Sequence, residues 1–255
     1  MPQHPTPRQK RKVVDVIAEE SKIVDLNNKR TRAKIDVALQ MKTISPKTDN
    51  QTKFFEQYEK GKMMCGLGSA GVGKSFIATY LGMRSIMNKE QDKLIIVRSA
   101  VSTRNSGFLP GTLEEKEEVY KAPYKEIVND LFDNGTAWCS LSKKEIIRFV
   151  TTSYIRGITI DNAVIIIDEV QNFTTHELLS VLSRIGKNSR VIIIGDTKQC
   201  DLDAKTGKTC FDDLKALTNR MWEWFSVVNF NHDDIVRSGF CKALIIAAEE
   251  VIYQN

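Results

Sequence analysis

The chain has 255 residues, 42% of them hydrophobic and 27% charged, and carries a formal net charge of +5. That length suits one well-buried α/β unit with an appendage and falls short of two such units. Without an apolar run near the ~18 to 20 residues that cross a bilayer, no membrane role is expected. Five cysteines in no metal-ligand spacing, and a start without a signal-peptide core, point to a reduced, cytoplasmic protein.

Residues 1–12 hold three prolines and no acids, a composition that favours disorder. The charge is unevenly placed, because residues 1–62 carry 14 Lys/Arg against 8 Asp/Glu while the other 193 residues carry 23 against 24. Such a basic segment suits either a nucleic acid phosphate backbone or a solvated tail. Val13 to Met41 is partly amphipathic and fits one or two short helices. A turn-rich passage, Thr43 to Gln51, precedes TKFFEQYEKG, whose spacing predicts a helix ending near Gly61.

From there the rhythm is strand, turn, helix. Strands are predicted at 63–67, 93–98, 162–168, 189–196 and 224–230, with a helix from the glycine loop to about Met87, another over THELLSVLSRIG, and a closing helix over 239–252. The charged region 112–150 reads as mainly helical, and Trp222 and Trp224, beside a strand, as core. Ile/Val runs without alternation predict a parallel sheet with helices on both faces.

The run Gly68-Ser69-Ala70-Gly71-Val72-Gly73-Lys74-Ser75 joins a predicted strand to a predicted helix. Backbone N–H groups can converge on a polyphosphate only where tight positions lack a bulky Cβ, which Gly68, Gly71 and Gly73 provide. Lys74 then places its charge on the β/γ-phosphates, and the Ser75 hydroxyl can ligate Mg²⁺. Far downstream, Asp168 ends Val164-Ile165-Ile166-Ile167 at the carboxyl edge of the sheet, where it suits the Mg²⁺ shell. Its neighbour Glu169 is the natural general base for an attacking water. The run Gly195-Asp196-Thr197-Lys198-Gln199 reaches the same edge; Gln199, Gln171 and Thr197 can hydrogen-bond a phosphate oxygen or the water. A P-loop α/β fold using ATP and Mg²⁺ is therefore expected.

Read together, GSAGVGKS (68–75), IIIDEVQN (165–172) and IIIGDTKQCD (192–201) resemble the motifs of the PhoH-like family, whose ATPase core is similar to the first RecA-like domain of superfamily 1 helicases. Residues 97–124, 155–172 and 227–240 look like further segments of that family. The resemblance departs at Ser99, where proline is expected, and at Val170, where alanine is. It implies a basic N-terminal segment over 1–43 and a PhoH-like ATPase domain over 44–255. It also implies an adenine-contacting role for Gln51, a γ-phosphate-sensing role for Gln199, and a γ-phosphate contact for Arg237, reaching a neighbouring subunit. A salt bridge from Arg237 to Asp233 or Asp234 is the plainer alternative.

A short chain of this kind resembles the phage-encoded members of the family, which places it in a host cytoplasm. One RecA-like core must borrow the second wall of its cleft, so a homo-oligomeric ring, such as a hexamer, is expected. The stretch 102–111, with Arg104, Asn105, Ser106 and Phe108, suits contact with RNA or single-stranded DNA, or simple anchoring of a loop. A nucleic-acid-dependent ATPase or helicase-like motor is thus the first reading, an ATP-driven protein remodeller the second, and a small-molecule kinase the third.

Overall fold

The computed structural model describes residues 39–99, 113–155, 158–197 and 210–252. In chain order the regular elements are α1 (Asp49–Glu59), β1 (Met63–Gly68), α2 (Lys74–Met87), β2 (Lys93–Arg98), α3 (Leu113–Leu131), α4 (Ala137–Lys143) and β3 (Ile147–Thr151). They continue with β4 (Ala163–Ile167), α5 (Thr175–Leu182), β5 (Arg190–Gly195), α6 (Phe211–Arg220), β6 (Phe225–Phe230) and α7 (Gly239–Ile252).

All six strands are parallel and lie in the order β3-β2-β4-β5-β1-β6. This is the RecA-like arrangement: one strand, β5, separates β1 from β4. Because side chains alternate across a strand, each strand feeds two cores. Leu94, Ile96, Val164, Ile166, Ile192 and Ile194 face α1 to α4. Ile95, Val97, Ile165, Ile167, Val191 and Ile193 face α5 and α6. Both faces of the sheet are therefore dry, which accounts for the unbroken Ile/Val runs. Among the described residues no helix is long and apolar enough to cross a membrane.

The region 112–150 is mainly helical as expected, over α3 and α4, but it ends in a strand the sequence did not reveal: Ile147–Thr151 is edge strand β3, paired with β2 from Leu94↔Ile147 to Arg98↔Thr151. One sequence-based expectation fails. Trp222 and Trp224 are not core: they are 68% and 62% exposed on the turn that leads into β6, where Met63 N–H donates to the Trp224 carbonyl at 2.9 Å. The predicted N-terminal helices over 13–41 lie almost wholly outside the described residues.

Cys65 in β1 and Cys210 before α6 are buried free thiols, whereas Cys139 is exposed. Burial, reinforced by neighbouring Cys210, pushes the Cys65 thiol up to about 12, leaving almost no thiolate near neutrality. Iodoacetamide is expected to label Cys139 in the native protein and to spare Cys65 and Cys210 until denaturant is added. Peptide mapping that found Cys65 labelled as fast as Cys139 would contradict the buried position of β1.

Candidate nucleotide site

Parallel strands bring their carboxyl ends to one edge, and the polar residues that follow β1, β2, β4 and β5 gather there. Gly68 closes β1 at φ +145°, where an added Cβ would lie 2.2 Å from the Phe230 carbonyl oxygen of β6; only glycine fits. Gly73 caps α2 in the left-handed region (φ 84°, ψ 18°), and no side chain caps that helix. The N–H groups of its first turn are thus left for an anion, at the positive end of the helix dipole. Donor set and glycine cradle both fit a polyphosphate.

The loop between Gly68 and Gly73 is held from two sides. Gln51, buried in α1, donates through Nε2 to the Val72 carbonyl at 3.0 Å and accepts at Oε1 from Lys47 N–H at 2.8 Å. From the other side, Val236 N–H donates to the Gly71 carbonyl at 3.2 Å. The two braces are themselves joined, because buried Asp234 accepts from Thr48 Oγ1 (2.5 Å), Asn50 Nδ2 (2.7 Å) and Asn231 N–H (2.8 Å). Beside the loop lies a cavity of about 270 Å³ whose walls include Ile44, Phe55, Phe76, Ile77, Gln51 and Arg237. Its apolar walls suit the flat face of a base.

Arg237 stands at this cavity, next to its own chain's loop: its Cγ would be 3.2 Å from a Cβ built on Gly71. It makes no ion pair with any described residue, and Asp234, a partner the sequence allowed, is already satisfied by other donors. The exposed Arg237 head is therefore available to a ligand.

Lys74, at the start of α2, donates to the carbonyls of Gly68 and Ser69, each at 2.7 Å. Burial lowers its pKa, with Asp196, Glu169 and Asp168 pulling the other way. No described residue engages the hydroxyl of Ser75. Together with Asp168 it offers two oxygen ligands, and two suit Mg²⁺, which keeps most of its waters. No group of three or more metal-ligating side chains occurs among the described residues.

Asp168 follows β4 directly, 2% exposed, with its N–H donating to the Val97 carbonyl at 3.0 Å. Arg98, the last residue of β2, donates to Asp168 Oδ2 through Nε at 2.8 Å, and its Nη2 lies 2.7 Å from the same oxygen and 3.3 Å from Glu169 Oε1. Glu169 adopts left-handed backbone angles (φ 53°, ψ 48°), uncommon outside glycine and a feature that collects at functional sites. Its other oxygen accepts from Gln171 Nε2, while Gln171 Oε1 accepts from Asp196 N–H at 2.9 Å. One amide thus ties the end of β4 to the end of β5. Burial, and next the Asp168 charge, raise the Glu169 pKa against the pull of Arg98, Gln171 and Lys74.

The two departures from the expected motif have structural uses. Ser99 donates to Glu177 at 3.1 Å, a carboxylate that Thr152 also reaches at 2.7 Å, so the end of β2 is tied to the start of α5. Val170 fills the space over Gly195, where a Cβ would meet its Cγ1 at 2.7 Å. Gln199, Arg104, Asn105, Ser106 and Phe108 lie outside the described residues; Thr197 is exposed at the same edge. Sequence reasoning overlooked Arg98 and read Asp234 only as an ion-pair partner for Arg237, not as the residue that joins the two braces. A charged residue closing the apolar run KLIIVR was the available signal for the first; the second shows only in the fold.

The chain also resembles known proteins in sequence. Residues 43–249 match the family model described as PhoH-like protein. The chain is 34% identical over 220 residues to a PhoH-like protein of Mycobacterium leprae, covering 85% of this chain and 62% of the relative. It is 32% identical over 209 residues to protein PhoH of Escherichia coli, covering 80% and 58%. It therefore spans less than two thirds of the length of these relatives. Among solved structures, the Sulfolobus solfataricus SWI2/SNF2 ATPase core in complex with dsDNA aligns with a TM-score of 0.42 at 11% identity, over 74% of this chain and 47% of that one. The Pif1 helicase of Candida albicans aligns with a TM-score of 0.36 at 15% identity, over 74% and 40%. On the match across residues 43–249, this chain belongs to the PhoH-like family.

Proposed function

We propose that this protein hydrolyses Mg²⁺–ATP, and that RNA or single-stranded DNA stimulates the reaction. The observation that carries the reading is the convergence on one sheet edge of a glycine cradle at an uncapped helix N-terminus with a buried acidic pair. Gly68 to Gly73 would wrap the phosphates, Lys74 would leave the loop carbonyls for the β- and γ-phosphates, and Ser75 and Asp168 would hold the metal. When bound, Mg²⁺ supplies charge neutralisation of the γ-phosphate. Glu169 would orient a water and take its proton as the water oxygen bonds to the γ-phosphorus and the bond to ADP breaks. Gln171 keeps Glu169 facing the site, and Gln199 would be the third polar group at that edge.

The nucleic acid partner is supported by the positive excess of residues 1–62 and by the polar and aromatic run 102–111. Phosphate release by wild type is expected to rise with one polymer. Glu169→Gln is expected to lose about 10²- to 10⁴-fold in turnover while still binding ATP. Equal turnover in the two proteins, unaffected by polymer, would overturn both assignments, and a phosphorylated acceptor in place of free phosphate would point to a kinase.

Gln51 gives a separate test. Both ends of its amide are engaged within the chain, so it would act by holding the loop. Gln51→Ala is expected to weaken ATP and GTP binding alike and to lower the melting temperature. A loss confined to ATP would make Gln51 a reader of the base.

A homo-oligomeric ring would supply the second wall of the cleft. Supporting it, α7 carries Phe240, Leu244 and Val251 at 80%, 56% and 74% exposure, on the helix that adjoins the nucleotide cavity through Ile245. Phe240→Glu is expected to reduce the mass seen by light scattering from oligomer to monomer; a wild type that is monomeric and fully active would sink the ring.

A further inference from the structure

We propose that Arg98 is an internal counter-cation: a positioning residue that holds Asp168 and Glu169 together when no divalent ion is present and is displaced from Asp168 when one binds. The inference rests on the reading of Ser75 and Asp168 as the metal ligands.

Two carboxylates on consecutive residues, one of them 2% exposed, repel each other strongly where water is scarce. Some cation must face them in every state. The obvious candidate, Lys74, feels both charges but pairs with neither, its ammonium being bonded to the carbonyls of Gly68 and Ser69. Among the described residues Arg98 alone pairs with them. One edge of its guanidinium spans both groups, with Nε and Nη2 converging on a single oxygen of Asp168 while Nη2 also reaches Glu169. A divalent ion seeking Asp168 meets a positive charge already bonded there, so the two cations compete.

The surroundings give Arg98 somewhere to go. The Tyr120 ring of α3 lies 5.6 Å from the guanidinium carbon, a distance at which an aromatic face holds a cation without a hydrogen bond. One turn further along α3, the Tyr124 hydroxyl is fully buried beside Asp168 and makes no hydrogen bond of regular geometry. It is a spare donor for the carboxylate oxygen that Arg98 would release. Helix α3 thereby touches both partners of the exchange, and its position depends on which cation occupies Asp168.

The test compares nucleotide-free wild type with Arg98→Gln and Arg98→Lys. Wild type is expected to show little change in melting temperature on adding Mg²⁺ and only weak Mn²⁺ binding by electron paramagnetic resonance. Arg98→Gln is expected to melt lower in EDTA, to recover with Mg²⁺, and to bind Mn²⁺ about 5- to 150-fold more tightly, the usual span of coupling between linked ligands. Arg98→Lys, which keeps the charge and loses the fork, should fall between them. In the wild type, the Nε resonance of Arg98, assigned by its loss in Arg98→Lys, should shift with Mg²⁺–ADP and stay put with ADP in EDTA, a readout that stands even where Arg98→Gln fails to fold. A folded Arg98→Gln no more responsive to metal than wild type, or an unmoved Nε resonance in wild type that binds Mg²⁺–ADP, would overturn the inference. Wild type that binds no nucleotide at all would instead overturn the ATPase reading.

Discussion

Parallel central strands buried on both faces leave the chain one place to put polar chemistry: the edge where the strands end. The interiors of β2, β4 and β5 are occupied by aliphatic side chains facing one of two cores, and a polar group there would lose its hydration with no partner. Leaving the carboxyl end of each strand, the backbone meets solvent and free N–H groups for the first time. Gly68, Arg98, Asp168 and Asp196 all stand at that boundary, at the ends of β1, β2, β4 and β5. The site follows from the sheet.

Assembly at an edge brings a problem of precision, since loops are less fixed than strands. This protein answers it with buried side chains that bond backbone groups. Gln51 and Val236 grip the phosphate loop at adjacent residues, Asp234 locks those two grips to each other, and Gln171 ties Glu169 to the end of β5. Of these, Gln51, Asp234 and Gln171 are polar side chains hidden from water with their partners in place, which rigidifies rather than destabilises. The exposed groups at the site, such as Arg237, lack that fixation.

Much of this was legible in the sequence because local rules carried it. The run KLIIVR gave β2 its observed limits, and the glycine spacing of 68–75 placed a loop between strand and helix as found. Strand β3 escaped because Ile147–Thr151 is a short edge strand with half-exposed Arg148 and Phe149, and it follows a charged stretch whose helical propensity dominated the window. The tryptophans misled for the opposite reason: their size suggested burial, but the turn before β6 directs them outward at the sheet's far edge. The pairings of Arg98 and Asp234 were beyond reach, since these partners lie 70 and 184 to 186 positions away, and no periodicity encodes a pairing at that range.

The place of β6 has a consequence for how the protein is made. β1 is flanked by β6, and the second grip on the phosphate loop comes from Val236, more than 160 residues after the loop itself, as does Asp234, which locks the two grips together. While the chain is being synthesised, the loop emerges early and remains ungripped on that side until residues 225–237 have left the ribosome. Nucleotide therefore cannot template the early stages of folding; it can only reward a chain whose sheet is already closed, which makes ligand binding a late proof-reading of the finished fold.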